Sequence, residues 1–191
     1  NRTITSDGKD WMTYHHKNTS APQTDYLALN STNATADFED VWNDTAPTSS
    51  VFTIGNSSQN NTGSGTSIFY AFAEKKGFSK MGSYVGIASS DSNFVFLGFK
   101  PAFLLIKNIS SGLTNWHMYD NKRLGYNVDN NMLRANLNNA SQTDDDIDLL
   151  SNGFKLRRST SALNNSGDTF IYYAVAESPL VTSTGIPTTA R

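Results

Sequence analysis

Residues able to carry out catalysis or to bind metal are few in this chain and are poorly arranged for either task. Of the three histidines, His15 and His16 are adjacent, so in a strand they would point to opposite faces, which rules out the simplest two-histidine chelate. We expect the third, His117, to be an exposed polar residue. There is no cysteine, and hence no thiolate ligand or thiol nucleophile. We predict no catalytic, cofactor-binding or metal-binding residue and no enzymatic activity.

Two acidic clusters, Asp37–Asp40 and Asp144–Asp148, are the other candidates for chemistry. Paired carboxylates could hydrolyse a glycosidic bond, a reaction that needs a protonated acid beside an ionised partner. Consecutive aspartates in a polar loop are more typical of a solvated turn or a helix start, and we favour that interpretation. No calcium-loop frame, Gly-x-Ser-x-Gly elbow, Walker motif or dinucleotide-binding glycine pattern occurs.

A Trp-x-x-Tyr pair occurs twice, at Trp11–Tyr14 and at Trp116–Tyr119. An aromatic face could stack on a sugar ring while neighbouring polar groups bind its hydroxyls. Trp42 has no aromatic counterpart later in the chain, which makes it a candidate for surface recognition. Packing in a hydrophobic core is the alternative, and we favour it for the repeated pair. The candidate glycan-binding residues are therefore Trp42, Trp116, Tyr119 and Arg123.

The motifs around these residues belong to an internal sequence repeat. DWMTYHHK, at residues 10–17, returns as NWHMYDNK at residues 115–122, a spacing of 105. TSIFYAFAE, at residues 66–74, returns as TFIYYAVAE at residues 169–177, a spacing of 103. A period near 105 is too long for a solenoid and fits a tandem domain.

We therefore predict two domains related by internal duplication, copy one at residues 1–78 and copy two at residues 79–183, followed by a C-terminal tail at 184–191. The linker between them is short, so we expect a fixed relative orientation. Copy two has about 25 residues, roughly 82–106, that have no counterpart in front of copy one. We expect copy one to be N-terminally incomplete and the chain to be the end of a longer polypeptide.

Short apolar segments rich in β-branched and aromatic residues, bounded by turn residues, predict an all-β fold. Alternation at 170–177 makes both faces apolar, so this strand is expected to be central and covered on both sides. The best helical candidate, 143–150, spans one to two turns. We predict two tandem β-sandwiches of jelly-roll or Ig-like type, with a closed barrel as the alternative. The strands predicted in copy two are 84–87, 94–99, 103–108, 115–120, 132–135, 153–158 and 170–177.

Composition excludes several classes of partner. A net charge of −2 and a pI near 5.9 provide no basic surface for nucleic acid. No apolar run approaches the length needed to span a bilayer. The chain contains 21 Asn and ten N-x-S/T sequons. In so polar a sequence many sequons arise by chance, and glycosylation would also need a secretory route.

Several segments resemble a known family. GFKPAFLLIKN, NWHMYDNKR, LLSNGFKLR, FIYYAVAESP and the terminal GIPTTAR resemble the repeated, tail-fibre-like domains in structural proteins of marine tailed bacteriophages of the cyanophage and pelagiphage type. WNDTAPTSSVFTIG and AFAEKKGFSKMGSY resemble the first-repeat version and its junction. The resemblance covers essentially the whole chain.

This resemblance implies a non-enzymatic virion protein, part of a tail fibre or another tail or capsid appendage, assembled in the host cytoplasm. The alternatives are a lectin-like, glycan-binding receptor module of the virion and, third, a glycan depolymerase. The expected partners are other virion proteins, copies of the chain itself and a host surface glycan. Because virion appendages are symmetric and fibres are commonly trimeric, we expect a homo-oligomer, with a trimer favoured.

Overall fold

The computed structural model describes residues 1–5, 8–123, 127, 131–143, 146–181 and 187–188. Strands account for 34% of the residues and helix for 5%, so the predicted all-β class is confirmed. The elements in chain order are β1 (Arg2–Thr3), β2 (Met12–Thr13), β3 (Asp25–Ala28), β4 (Ala36–Asp37), α1 (Glu39–Trp42), β5 (Ser67–Ile68), β6 (Ser79–Val85), β7 (Phe94–Phe96), β8 (Pro101–Asn108), β9 (His117–Asp120), β10 (Asn131–Arg134), β11 (Gln142–Thr143), β12 (Ile147–Leu150), β13 (Gly153–Leu156), α2 (Ser161–Asn164), β14 (Thr169–Ala176), β15 (Leu180–Val181) and β16 (Pro187–Thr188).

Residues 79–183, called the C-terminal region below, contain a β-sandwich. One sheet has six antiparallel strands in the order β11-β10-β9-β8-β14-β6, and the other has the order β12-β13-β7. Both sheets contribute to one core, in which Leu104 and Phe170 of the first sheet and Phe154 and Leu156 of the second are fully buried. Face-to-face packing of apolar, alternating strands holds the two layers together.

β14 occupies the centre of this sandwich. It pairs with β8 on one side and with β6 on the other. Phe170 and Ala174 point into the sandwich core, while the intervening Ile171 is 1% exposed on the opposite face. The predicted central position of this strand is confirmed, whereas its outer face is buried at Ile171 and only half-buried at Tyr173 and Val175.

Residues 1–78, called the N-terminal region, are less regular. They form a three-stranded sheet, β2-β3-β4, and a two-stranded sheet, β1-β5. Their small core consists of Met12, Val41 and Trp42, with α1 supplying the last two. Residues 1–5 and 8–78, which the structure describes, do not form the second sandwich layer expected for this region. Phe52 is 46% exposed, whereas Phe154, which follows it by 102 residues and is its counterpart in the repeat, is fully buried between two sheets.

The seven strands predicted in copy two are all present, with ends that shift by up to five residues. The helical candidate at 143–150 is wrong over its second half, because Ile147–Leu150 forms β12. Ile147 and Leu149 alternate into the sandwich core, and that burial outweighs the weak helical pattern. Residues 144–145 of the acidic cluster and most of the tail at 184–191 lie outside the described residues.

The N-terminal region packs on the outer face of the six-stranded sheet. Leu27 of β3 forms a buried cluster with Ile109, Trp116 and Ile171 of the C-terminal region. The six-stranded sheet therefore packs on one face against its sandwich partner, and on the other it contacts the N-terminal region at Leu27. The boundary near residue 78 and the fixed relative orientation of the two regions stay predictions.

Candidate functional site

Trp116 and Tyr119 lie on opposite faces of the six-stranded sheet. β9 begins directly after Trp116, and strand side chains three positions apart point in opposite directions. Tyr119 lies in the sandwich core, and Trp116 packs against Leu27; their exposures are 1% and 3%. Neither ring has a face open to a sugar. The geometry supports the packing interpretation, but Trp116 lies between the two regions and not in the sandwich core, where we expected it.

Trp42 is buried as well. Its Nε1 donates a hydrogen bond to the backbone oxygen of Asp25 at 3.0 Å. The Tyr14 ring meets it edge-on, with 5.9 Å between ring centroids. Trp42 is therefore part of the small core of the N-terminal region. Because its ring is buried, the geometry does not support the surface-recognition role considered for it.

Arg123 is the one candidate glycan-binding residue whose side chain reaches the surface. Its Nε lies 2.6 Å from Oδ2 of Asp120, and its backbone N–H donates to Oδ1 of the same residue at 3.0 Å. The four candidate residues do not converge, because Trp42, Trp116 and Tyr119 belong to three different buried clusters.

The histidines differ from expectation in two respects. His117 is 2% exposed, because β9 lies inside the sheet between β8 and β10. His15 and His16 lie beyond the end of β2, so strand alternation does not separate them, and their rings stack with 5.3 Å between centroids. Nevertheless, no group of three or more potential metal ligands occurs among the residues that the structure describes.

His15 joins the two regions. Its Nε2 lies 3.1 Å from the backbone oxygen of Tyr172. Burial lowers the pKa of His15 to about 4, aided by the charges of His16 and Lys17 and opposed by the hydrogen bond to the Tyr172 carbonyl. At neutral pH the ring is therefore uncharged, and its Nε2–H donates to that carbonyl.

Trp116 and Lys107 supply two further links between the regions. The Nε1 of Trp116 donates to the backbone oxygen of Ala28 at 3.0 Å. The Nζ of the fully buried Lys107 donates to the Thr32 oxygen at 3.0 Å and to the backbone oxygen and Oγ1 of Thr114 at 2.5 and 3.2 Å. Three acceptors match the three N–H bonds of an ammonium group. Burial lowers the pKa of Lys107 to about 8.

The strand pairing of the two regions corresponds residue by residue where both are present. Arg2–Thr3 pairs with Ser67–Ile68. At the spacings found in the sequence, the equivalent residues are Lys107–Asn108 and Phe170–Ile171, and they pair in the same register. The pairing of β2 with β3 and of β3 with β4 likewise matches that of β9 with β10 and of β10 with β11.

The first residues of the printed sequence correspond to the end of β8, since Asn1 lies 105 residues before Ile106. The ammonium nitrogen of Asn1 donates a hydrogen bond to the backbone oxygen of Met12 at 2.7 Å. This bond lies on the edge of β2 opposite β3, because the Trp11 oxygen accepts from Leu29 on the β3 side.

Residues 69–74 repeat the sequence of β14 but belong to no strand. Tyr70 and Phe72 are 64% and 63% exposed. The Phe72 ring nevertheless contacts Tyr173, with 5.2 Å between ring centroids, and the Tyr70 ring centroid lies 5.9 Å from that of Trp11. Large exposed aromatic side chains are typical of a surface that takes part in an interaction.

A shallow cavity of about 450 Å³ opens where the two regions meet. Hydroxyl groups dominate its lining, and Lys17 is the charged residue among the described lining residues. The lining residues are Lys17, Asn18, Thr19, Ser20, Ser83, Ile109, Ser110 and Thr169. Hydroxyl, amide and ammonium groups are suited to polyhydroxylated ligands.

The carboxylates of Asp168 and Glu177 form interactions that stabilise the fold. Asp168 Oδ2 accepts hydrogen bonds from Asn108, Ser111 and Asn165 at 2.7–2.9 Å. Burial raises the pKa of Asp168, but these three hydrogen bonds outweigh it, and the net pKa is lowered. The pKa of Glu177 is also lowered, mainly by its hydrogen bond with Lys100. A glycosidase acid needs the opposite change.

Four of the ten sequon asparagines are buried. Asn164 illustrates why: its Oδ1 accepts from Ile87 and Ser92, and its Nδ2 donates to Ser89 and Arg158, all at 2.8–3.0 Å. An amide nitrogen held in this way cannot carry a glycan in the folded protein. The four buried residues are Asn18, Asn60, Asn108 and Asn164.

Comparison with known proteins gives one match. The family described as Domain of unknown function (DUF7483) matches residues 2–179. Searches of curated proteins and of solved structures found no match. Since the family match covers both regions and nearly the whole sequence, the chain belongs to this DUF7483 family.

Proposed function

We propose that the chain is a non-enzymatic structural protein of a bacteriophage virion, part of a tail fibre or another tail or capsid appendage. The resemblance to repeated phage domains provides the class of particle. The all-β architecture suits an appendage built from stacked sheets, although fold alone does not select a function. The protein is assembled in the host cytoplasm and then resides in the virion.

The observation that carries this proposal is the exposure of Tyr70 and Phe72, whose side chains are 64% and 63% exposed. Large exposed aromatic side chains are a liability in a protein that acts alone, whereas in a structural protein they provide a point of attachment. Among the described residues, moreover, no helix has the length and apolar character needed to cross a bilayer.

Localisation in the particle tests the proposal directly. An antibody raised against the chain should label purified virions at one type of appendage, and mass spectrometry of those virions should detect the protein in stoichiometric amounts. Virions of a phage that lacks the gene serve as the control. Absence of the protein from purified, intact particles would refute the proposal.

Assembly of the chain with copies of itself is the second part of the proposal. We expect a homo-oligomer, with three chains favoured because fibres are commonly trimeric. Light scattering coupled to size-exclusion chromatography should give about three times the chain mass of 20.9 kDa. A stable monomer at micromolar concentration would contradict this part alone.

A lectin-like, glycan-binding role is the second candidate, and the cavity at the junction of the regions favours it. Lys17 lies in that cavity, while Lys122, its counterpart in the repeated motif, has a side chain that is 80% exposed outside it. Glycan-array binding that is lost in Lys17→Ala but kept in Lys122→Ala would support a sugar site. No binding by the wild-type protein would argue against it.

A glycan depolymerase is the third candidate. It requires one carboxyl with a raised pKa opposite an ionised one. Asp91, Asp168 and Glu177 all have lowered pKa values, so none of these three carboxylates has the raised pKa that the acid needs. Incubation of the protein with host surface polysaccharide should therefore release no new reducing ends.

A further inference from the structure

The cavity at the junction of the two regions presents hydrogen-bond donors together with a positive charge. Its volume of about 450 Å³ lies within the range of roughly 300–1,000 Å³ typical of small-molecule sites, so it has room for a sugar unit. Among the lining residues that the structure describes, none is acidic and Ile109 alone is apolar; the others carry an ammonium, an amide or a hydroxyl group. The lining therefore suits a ligand rich in oxygen acceptors.

The ammonium group of Lys17 has no counter-charge, unlike that of its counterpart in the repeat. Lys122 Nζ lies 3.7 Å from Oε1 of Glu177. Within the described part of the chain, Lys17 forms no ion pair, either with Glu74, the counterpart of Glu177, or with any other carboxylate. Asp168, the carboxylate adjacent in sequence to the lining, accepts hydrogen bonds at Oδ2 from three residues outside the lining. An unpaired ammonium group beside a cavity attracts an anionic ligand.

The side chain of Asn18 adds a second donor that lacks an acceptor. This residue is 1% exposed, and its Oδ1 accepts from Thr35 Oγ1 at 2.5 Å, whereas its Nδ2 has no acceptor among the described residues. A buried N–H group without an acceptor destabilises the fold unless a bound water or ligand serves it. Because Asn18 also lines the cavity, an acceptor atom bound there would satisfy this group.

The hydroxyl groups of the lining differ in whether they are already engaged. Thr19 Oγ1 donates to Asp25 Oδ2, so its proton is used within the fold. Ser110 Oγ accepts from the Thr169 backbone N–H at 2.9 Å, which leaves its own O–H free to donate. Ser83 Oγ forms no hydrogen bond within the part of the chain that the structure describes, and Ser83 is exposed. Free donors therefore come from both regions.

We propose that this cavity binds one acidic sugar unit, a saccharide that carries a carboxylate or a sulfate. The anionic group pairs with the Lys17 ammonium and accepts from Asn18 Nδ2. The hydroxyl groups of the sugar ring bind the hydroxyls of Ser83 and Ser110. This inference rests on the glycan-binding role, the second candidate above, and names the class of ligand for that role.

Titrations of the full chain followed by amide chemical shifts test the proposal. Sodium glucuronate and glucose 6-sulfate should shift the signals of residues 17–20, 83, 109–110 and 169. Glucose should bind about two- to fivefold more weakly, the size expected for a surface ion pair. No binding of glucuronate at millimolar concentration, equal binding of glucose, or shifts confined to other residues would overturn the proposal. Inorganic sulfate that binds as tightly as glucose 6-sulfate would also overturn it, because the site would then recognise an oxyanion only.

Two lysine variants make the test specific. Lys17→Met should remove most of the preference for glucuronate over glucose, whereas Lys122→Met, at the matched position of the repeat, should keep it. An unchanged preference in Lys17→Met would refute the pairing. Ser83→Ala should weaken binding of both sugars alike. A glycan array on which the chain binds neutral glycans only would keep the lectin-like role and refute the acidic ligand, and labelling of virions is independent of both results.

Discussion

Acidification should weaken the contact between the two regions, because burial in the folded chain disfavours the protonated, charged form of His15. Its pKa is about 4 in the folded chain, compared with the usual 6.5. The folded pKa is the lower one, so the stability linked to His15 is complete above pH 6.5 and is lost as the pH falls towards 4. Each tenfold difference in proton affinity between the folded and unfolded chain is equivalent to about 1.4 kcal/mol. The free energy of unfolding should therefore fall by about 2 kcal/mol between pH 7 and pH 5.

Urea unfolding followed by far-UV circular dichroism at pH 5, 6, 7 and 8 measures this loss. His15→Gln is the informative variant, because a glutamine amide can donate to the Tyr172 carbonyl but does not titrate. It should lose about 2 kcal/mol less than wild type between pH 7 and pH 5. His16→Gln, at the exposed neighbour, is the matched control and should change the slope less. If His15→Gln loses as much stability as wild type over this range, the link between His15 and Tyr172 is not what the geometry indicates.

Three other substitutions test the contacts described above. Trp116→Phe should lower the free energy of unfolding by about 1–3 kcal/mol, since it removes the bond to Ala28, while Trp11→Phe at the half-buried counterpart should cost less; urea unfolding compares the two. Asn164→Ala should cost about 2–4 kcal/mol, because four buried hydrogen bonds are lost, and thermal unfolding should show it. Lys107 has a folded pKa of about 8, below its usual value, so wild-type stability should rise by about 2 kcal/mol from pH 8 to pH 10, and Lys107→Met should abolish that rise.

The strands of the C-terminal region could be predicted because their side chains satisfy local rules. In β14, Phe170 and Ile171 are both apolar and face different cores, so the sequence indicated a strand covered on both sides. The sequence did not predict β12, because the polar Asp148 lies among the apolar residues and makes their spacing resemble that of a helix. Pairing with β13 makes this segment a strand. Such pairing is a tertiary contact, and the periodicity of one segment gives no information about it.

The candidate site was harder to predict, for two different reasons. Trp116 and Tyr119 are three residues apart, and applying strand alternation to that spacing would have placed them on opposite faces without a structure. The exposure of Tyr70 and Phe72, by contrast, depends on tertiary pairing. Their segment has the same strand-forming sequence as its counterpart in β14, yet it belongs to no strand and both side chains are exposed.

The same dependence on tertiary contacts explains why two regions with similar sequence motifs differ in the extent of their β-sheets. The six-stranded sheet has two apolar faces, and three strands of its own region can cover only one of them. The N-terminal sheet packs against part of the other face through Leu27, and it gains from Ile171 and Trp116 the apolar contacts that its own small core lacks. Each region is therefore stabilised in part by burying its apolar side chains against the other.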